Sequence, residues 1–151
     1  MVAPSEQYST KVERILRQDS KLKLYWILGL PTDSLELSVY SAAAKIDLFF
    51  LYPGPSNNAS WVGGMYVPNK TKLRWNYPKL EGVCSAELLD NLFLVPCNYE
   101  QFLVADYGVN WTIPHLTKNF VWYKSHRNIQ ENGHWSKSEW AKVYRTRFFR
   151  T

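Results

Sequence analysis

The sequence predicts an α+β fold: a mixed β-sheet with helices lying on it, followed by a Trp-rich, irregular C-terminal region. Three observations carry this. Apolar residues alternate with polar ones in several short runs, the period of strands. Helical spacing recurs over only a few stretches. Aromatic residues, among them seven Trp and ten Tyr, become densest after Arg74, without any period. A length of 151 residues points to one domain, or part of one, with its core over 22–107 and the Trp-rich tail over 108–151.

Taken in order, Ser5–Gln18 reads as a short helix, with Val12, Ile15 and Leu16 on one face and Lys11, Glu13, Arg14 and Arg17 on the other. Leu22, Leu24, Trp26 and Leu28 alternate with Lys21, Lys23, Tyr25 and Ile27 as a strand. The cluster Gly29-Leu30-Pro31-Thr32-Asp33 turns the chain. In Ser34–Tyr52, Leu35, Leu37 and Val39 alternate with Glu36, Ser38 and Tyr40, a half-buried strand. Ile46, Leu48 and Phe50 then oppose Asp47, Phe49 and Leu51, apolar on both faces like the middle of a covered sheet.

Pro53–Asn58 is a loop by composition, and Trp61–Tyr66 is an apolar segment holding the pair Gly63-Gly64. A glycine pair lets backbone approach a ligand closely, although a hairpin turn also explains it. Leu73–Tyr77 and Asn91–Pro96 read as strands, whereas Cys84–Asn91 fits a helical turn or a strand edge equally. Asn98–Tyr107 is a second helix stopped by Gly108, and Ser136-Lys137-Ser138-Glu139 is a capping box before a last short helix.

The formal net charge is +5, with no dense basic tract. Val143–Arg150 sets Arg145, Arg147 and Arg150 beside aromatics, which a basic terminal strand or end explains better than a phosphate site. The aromatics sit in apolar strands and Pro-rich turns, where packing accounts for them, so nucleic acid is not an expected partner. No run is apolar and long enough to span a bilayer as a helix, and the N-terminus lacks a signal pattern. Cys84 and Cys97 are compatible with a disulfide or with two buried thiols. Sequons at Asn58, Asn69 and Asn110 hint at a secretory compartment. His115, His126 and His134 show no metal-ligand spacing with the cysteines, and no nucleophile elbow or phosphate loop occurs.

The carboxylates are more informative. An ionised Asp47 in an apolar strand must be paired, with Lys45 the nearest cation, or hydrogen-bonded, or bound to a metal. Were the two strands of Ser34–Tyr52 a hairpin, Glu36 and Asp47 would reach one face. Carboxylates on neighbouring strands supply the hard oxygens a Mg²⁺ site for phosphoryl transfer needs.

Together, several landmarks resemble the C-terminal part of members of the LicD/fukutin family. They begin with Asp33–Ser38, Lys45–Phe50 and Tyr52, then Trp61–Gly64, Tyr77-Pro78-Lys79, Cys84 and Val95-Pro96-Cys97. Tyr107-Gly108, Trp111, Pro114, Trp122, Lys124-Ser125, Asn128, Asn132-Gly133, Trp135 and Glu139-Trp140 complete the set, from about Leu22 to Tyr144. The resemblance implies a nucleotidyltransferase-like fold. It also implies transfer of ribitol phosphate or phosphocholine from a CDP-activated donor to a glycan acceptor, in the Golgi or secretory lumen for the animal members. It implies Mg²⁺ or Mn²⁺ as cofactor, Asp47 as a metal ligand with Glu36 in support, and Gly63 and Gly64 in the cofactor-binding cleft. In relatives an Asp-x-Asp strand, and in animal proteins a membrane anchor, precede the equivalent of Ser5–Gln18. This chain is therefore expected to be a fragment or shortened relative, inactive alone. The alternative is a non-catalytic module that binds a glycan or a partner transferase.

Overall fold

The computed structural model describes residues 1–42 and 44–146. In chain order the elements are β1 (Val2–Pro4), α1 (Thr10–Gln18), β2 (Lys23–Leu30), β3 (Asp33–Tyr40), β4 (Lys45–Pro53), β5 (Ala59–Tyr66), β6 (Thr71–Pro78), β7 (Val83–Leu88), β8 (Asn91–Pro96), α2 (Tyr99–Tyr107), β9 (Ile129–His134), α3 (Trp140–Val143) and β10 (Tyr144–Thr146). The main sheet runs β10-β2-β3-β4-β5-β6-β9, with β1 added to β4 in parallel. Since β10·β2, β2·β3 and β3·β4 are antiparallel, the sheet is mixed, as the sequence predicts. β7 and β8 form a separate two-stranded sheet.

The chain divides into two compact units, 1–52 with 62–74 and 131–151, and 53–61 with 75–130. In the first, β3 is the most enclosed strand. Leu35 and Leu37 are wholly buried, and Ile27 and Leu28 of β2 nearly so. Leu28, Met65, Trp135 and Val143 form a core cluster, with Trp26, Leu30, Trp140 and Tyr144 packed on it.

Helix α1 turns Val12, Glu13 and Leu16 inward and leaves Ile15 exposed, a rotation from the predicted face. Glu13 sets that rotation: its carboxylate accepts the Tyr8 hydroxyl at 2.7 Å and lies 3.4 Å from the Arg145 guanidinium on β10. The predicted helix over Ser5–Gln18 is thus a 3₁₀ turn at Ser5–Gln7 followed by α1.

Strands β2 and β3 meet through the two-residue turn Pro31-Thr32. A shift of register between Leu24 and Trp26 inserts Tyr25 as a bulge. The predicted alternation of β2 therefore breaks there, and both Ile27 and Leu28 end up buried.

Two features of the C-terminal half differ from the irregular region predicted. β9 joins the edge of the main sheet, and β10 pairs with β2. The capping box forms as read: Ser136 N–H donates to Glu139 Oε2 at 2.9 Å, and Glu139 N–H donates back to Ser136 Oγ at 3.3 Å. Of the basic stretch Val143–Arg150, residues 147–150 lie outside the described residues.

In the second unit, Cys84 and Cys97 are joined as a disulfide. The bond closes the base of the β7–β8 hairpin, so the undecided segment Cys84–Asn91 is mostly strand. Leu89 and Asp90 make the two-residue turn, with φ of 51° and 58°, the positive pair a tight hairpin turn needs. Helix α2 starts after Asn98 and ends at Gly108, whose N–H donates to the Val104 carbonyl at 2.8 Å and whose φ is 85°. Among the described residues, no helix is long and apolar enough to cross a membrane.

Candidate functional site

The β3–β4 register places Ser38 opposite Asp47 and Glu36 opposite Phe49. Residues two apart on a strand share a face, and directly paired residues do too. Glu36, Ser38 and Asp47 are therefore on one face of the sheet. The hairpin puts both predicted carboxylates on one face, and Ser38 links them. Its hydroxyl lies 2.6 Å from Asp47 Oδ1 and 3.1 Å from Glu36 Oε1.

A hydroxyl carries a single proton, so it cannot donate to both carboxylates. The short contact is Ser38 donating to Asp47. The Glu36 contact is then satisfied when Glu36 keeps its own proton and donates to Ser38 Oγ. The electrostatics point the same way. Burial, and next the negative charge of Asp47, push the Glu36 carboxyl up from 4.5 to about 7, against the opposing pull of Lys45 and Ser38.

Asp47 is less enclosed. Its side chain is 30% exposed, and the Lys45 ammonium straddles it, 2.8 Å from Oδ1 and 3.0 Å from Oδ2. The same ammonium lies 5.1 Å from the centre of the Trp26 ring. This corrects the burial expected of the two strands. β4 is buried only from Phe50 to Tyr52, while Ile46 is exposed. β3, predicted to be half-buried, is buried from Ser34 to Val39. The acid inside the sheet is thus Glu36, 7% exposed, and Asp47 sits at its margin.

Gly63 and Gly64 lie buried in the middle of β5, not in a hairpin turn. A side chain built on Gly63 would meet Ser34, its Cβ 2.7 Å from Ser34 Cα. Ser34 itself has a φ of 58° and donates to Asp33 Oδ1 at 2.8 Å. The absence of a side chain at Gly63 is therefore accounted for by close strand packing against Ser34.

Two polar clusters went unread in the sequence. Lys72 pairs with Asp33 at 2.7 Å and lies 4.0 Å from the centre of the Trp135 ring. In the second unit, Asp106 Oδ1 accepts the Tyr77 hydroxyl at 2.8 Å. It also lies 3.2 Å from His126 Nδ1, close but poorly aligned for a hydrogen bond. Burial and then Asp106 push the Tyr77 hydroxyl far above its ordinary range. Both clusters join residues some 20 to 60 positions apart, which no local spacing announces.

Hard carboxylate and hydroxyl oxygens suit Mg²⁺ or Mn²⁺. Glu36, Ser38 and Asp47 fit such an ion as part of its shell, because a cation there would offset the burial and the neighbouring Asp47 charge that together raise the Glu36 carboxyl. Among the described residues, no group of three or more His, Cys, Asp or Glu surrounds one point, so water or substrate oxygens would complete the shell. Cys84 and Cys97, being disulfide-bonded, offer no thiolate.

Comparison with known proteins found no matching family model and no significantly similar solved structure. Among curated proteins, the uncharacterized protein W02B3.4 of Caenorhabditis elegans is 32% identical over 89% of this chain and 36% of its own length. The ribitol-5-phosphate transferase FKTN of Homo sapiens is 36% identical over 83% of this chain and 26% of its own length. The protein of that name from Mus musculus is 35% identical over the same shares. The chain thus spans about a quarter to a third of the length of these relatives. Over most of its length, this chain is a fukutin-like region, similar to part of the ribitol-5-phosphate transferase FKTN.

Proposed function

We propose that this region serves in transfer of ribitol phosphate from a CDP-activated donor to a glycan, with Asp47 and Glu36 as ligands of a divalent cation. One observation carries the reading: two carboxylates meet across a serine hydroxyl on one sheet face, in a chain similar to a ribitol-5-phosphate transferase. A nucleotidyltransferase-like fold and a Golgi or secretory-lumen location belong to the same reading. The Cys84–Cys97 disulfide supports an oxidising compartment, as do the three sequons. Phosphocholine transfer, the other chemistry of the resemblance, is set aside because FKTN carries the ribitol name.

When bound, the ion would offset negative charge on the donor phosphates. The chain's own residues prepare for it. Ser38 fixes the Asp47 carboxylate by donating to Oδ1. Glu36 would hold the ion as a carboxylate, its proton passing to water. Lys45, held on Asp47 in the ion's absence, would then be available to phosphate oxygens.

Electron paramagnetic resonance of added Mn²⁺ tests this. One Mn²⁺ per chain is expected, with affinity rising up to about tenfold per pH unit below pH ~7, because binding displaces the Glu36 proton. Asp47→Asn is expected to weaken it by about tenfold or more. Equal binding by Asp47→Asn, or none by the native chain, would refute the ligand assignment.

A further inference from the structure

The second unit carries two surfaces of opposite character that the proposed transfer does not use. The first is the β7–β8 arm. All residues of β7 and the first four of β8 are exposed, including Leu92 at 77% and Leu94 at 79%. Register places Glu87 opposite Leu92 and Ser85 opposite Leu94, so the leucines and Glu87 share one face. From Glu81 to Glu100 the charged residues are Glu81, Glu87, Asp90 and Glu100, all acidic in a chain of net charge +5. Among the described residues, both outer edges of this two-stranded sheet lack a neighbouring strand.

The second surface is the stretch from Val109 to Arg127. Val109, Ile113 and Leu116 are 80%, 58% and 64% exposed. Its charged residues are Lys118, Lys124 and Arg127, all basic and all exposed. Exposed apolar patches of this kind mark interaction surfaces. An unpaired apolar strand edge also invites pairing with another chain.

We infer that the acidic leucine arm of one copy docks on the basic apolar stretch of a second copy, and reciprocally, forming a two-fold dimer. Charge complementarity selects this occupant. Arm against arm would oppose like charges, whereas arm against basic stretch pairs acid with base at both ends of a self-complementary interface. The disulfide at the base of the arm holds the leucine face in shape before docking. Asn110, an exposed sequon, opens the basic stretch, so the dimer is inferred for the chain unmodified at Asn110 and the chain made without N-glycans is the form to test.

Sedimentation velocity provides the test. The native chain is expected to dimerise at ~100 μM in about 50 mM salt, and to dissociate roughly tenfold more readily in about 500 mM salt. Leu92→Ser with Leu94→Ser is expected to be monomeric, with unchanged circular dichroism and no free thiol. Reversing the arm (Glu87→Lys, Asp90→Lys) or the stretch (Lys118→Glu, Lys124→Glu) should each give monomers. Mixing the two reversed chains should restore a heterodimer, because each arm then meets an opposite charge. A native chain that stays monomeric in low salt would overturn the inference. So would a dimer that survives either reversal, or reversed chains that fail to associate when mixed.

Discussion

Asp47→Asn in the complete protein is expected to lower transfer on the order of 100-fold or more while leaving the fold intact. The substitution is nearly isosteric, and Ser38 can still donate to the amide oxygen in place of Asp47 Oδ1. The ion pair with Lys45 is lost, but both side chains are about one-third exposed, so this costs at most about 1 kcal/mol. Glu36 gains, because the neighbouring negative charge that raises its carboxyl disappears. Stability should therefore barely change, while the cation loses its more accessible carboxylate. Rates of donor turnover, read beside urea midpoints, separate the two effects. Native-level transfer by Asp47→Asn would remove Asp47 from the reaction.

Glu36→Gln should stabilise the protein above neutral pH. The Glu36 carboxyl titrates at about 7 when folded and near its ordinary 4.5 when unfolded. Between those values the folded state holds a proton that the unfolded state has released. Stability therefore falls as pH rises through about 4.5 to 7, and the loss is complete above that window. Its size, from about 1.4 kcal/mol per pH unit, is on the order of 3 kcal/mol. A glutamine carries no charge and can still donate to Ser38 Oγ, so it should avoid this loss. Urea unfolding at pH ~8 should show Glu36→Gln more stable than native by about 1–3 kcal/mol, and near parity is expected at pH ~4. A glutamine variant less stable at the higher pH would mean that ionised Glu36 makes a favourable contact in the folded protein. An acid retained at such a cost fits a binding role better than a structural one.

Much of this site was legible from Ser34–Tyr52 alone. Alternation defined two strands, and their hairpin brought Glu36 and Asp47 to one face. Lys45 was visible as a nearby cation because it shares Asp47's face two residues away. Ser38 was not legible. A serine among alternating residues looks like a solvent-facing position, and only the cover over both faces of β3 makes its hydroxyl the bridge. The same cover reversed the expected burial of the two acids. Helix α2 with Gly108, and the Ser136–Glu139 capping box, were readable because their signals are local. β9 was not, since Ile-Gln-Glu-Asn-Gly-His lacks apolar alternation and its place in the sheet depends on backbone pairing. The Tyr25 bulge was hidden for a similar reason: register is set by the partner strand.

The most direct measurement is the carboxyl carbon resonance of Glu36, followed across pH by NMR of ¹³C-labelled chain with and without Mg²⁺, and assigned with Glu36→Gln. The carboxyl is expected to titrate near pH 7 in the free protein and to fall by about one unit or more when Mg²⁺ is saturating, since both Glu36 and Asp47 would then face a cation. Titration near 4.5 in the free protein, or a midpoint that Mg²⁺ leaves unmoved, would contradict a divalent-cation site on this face.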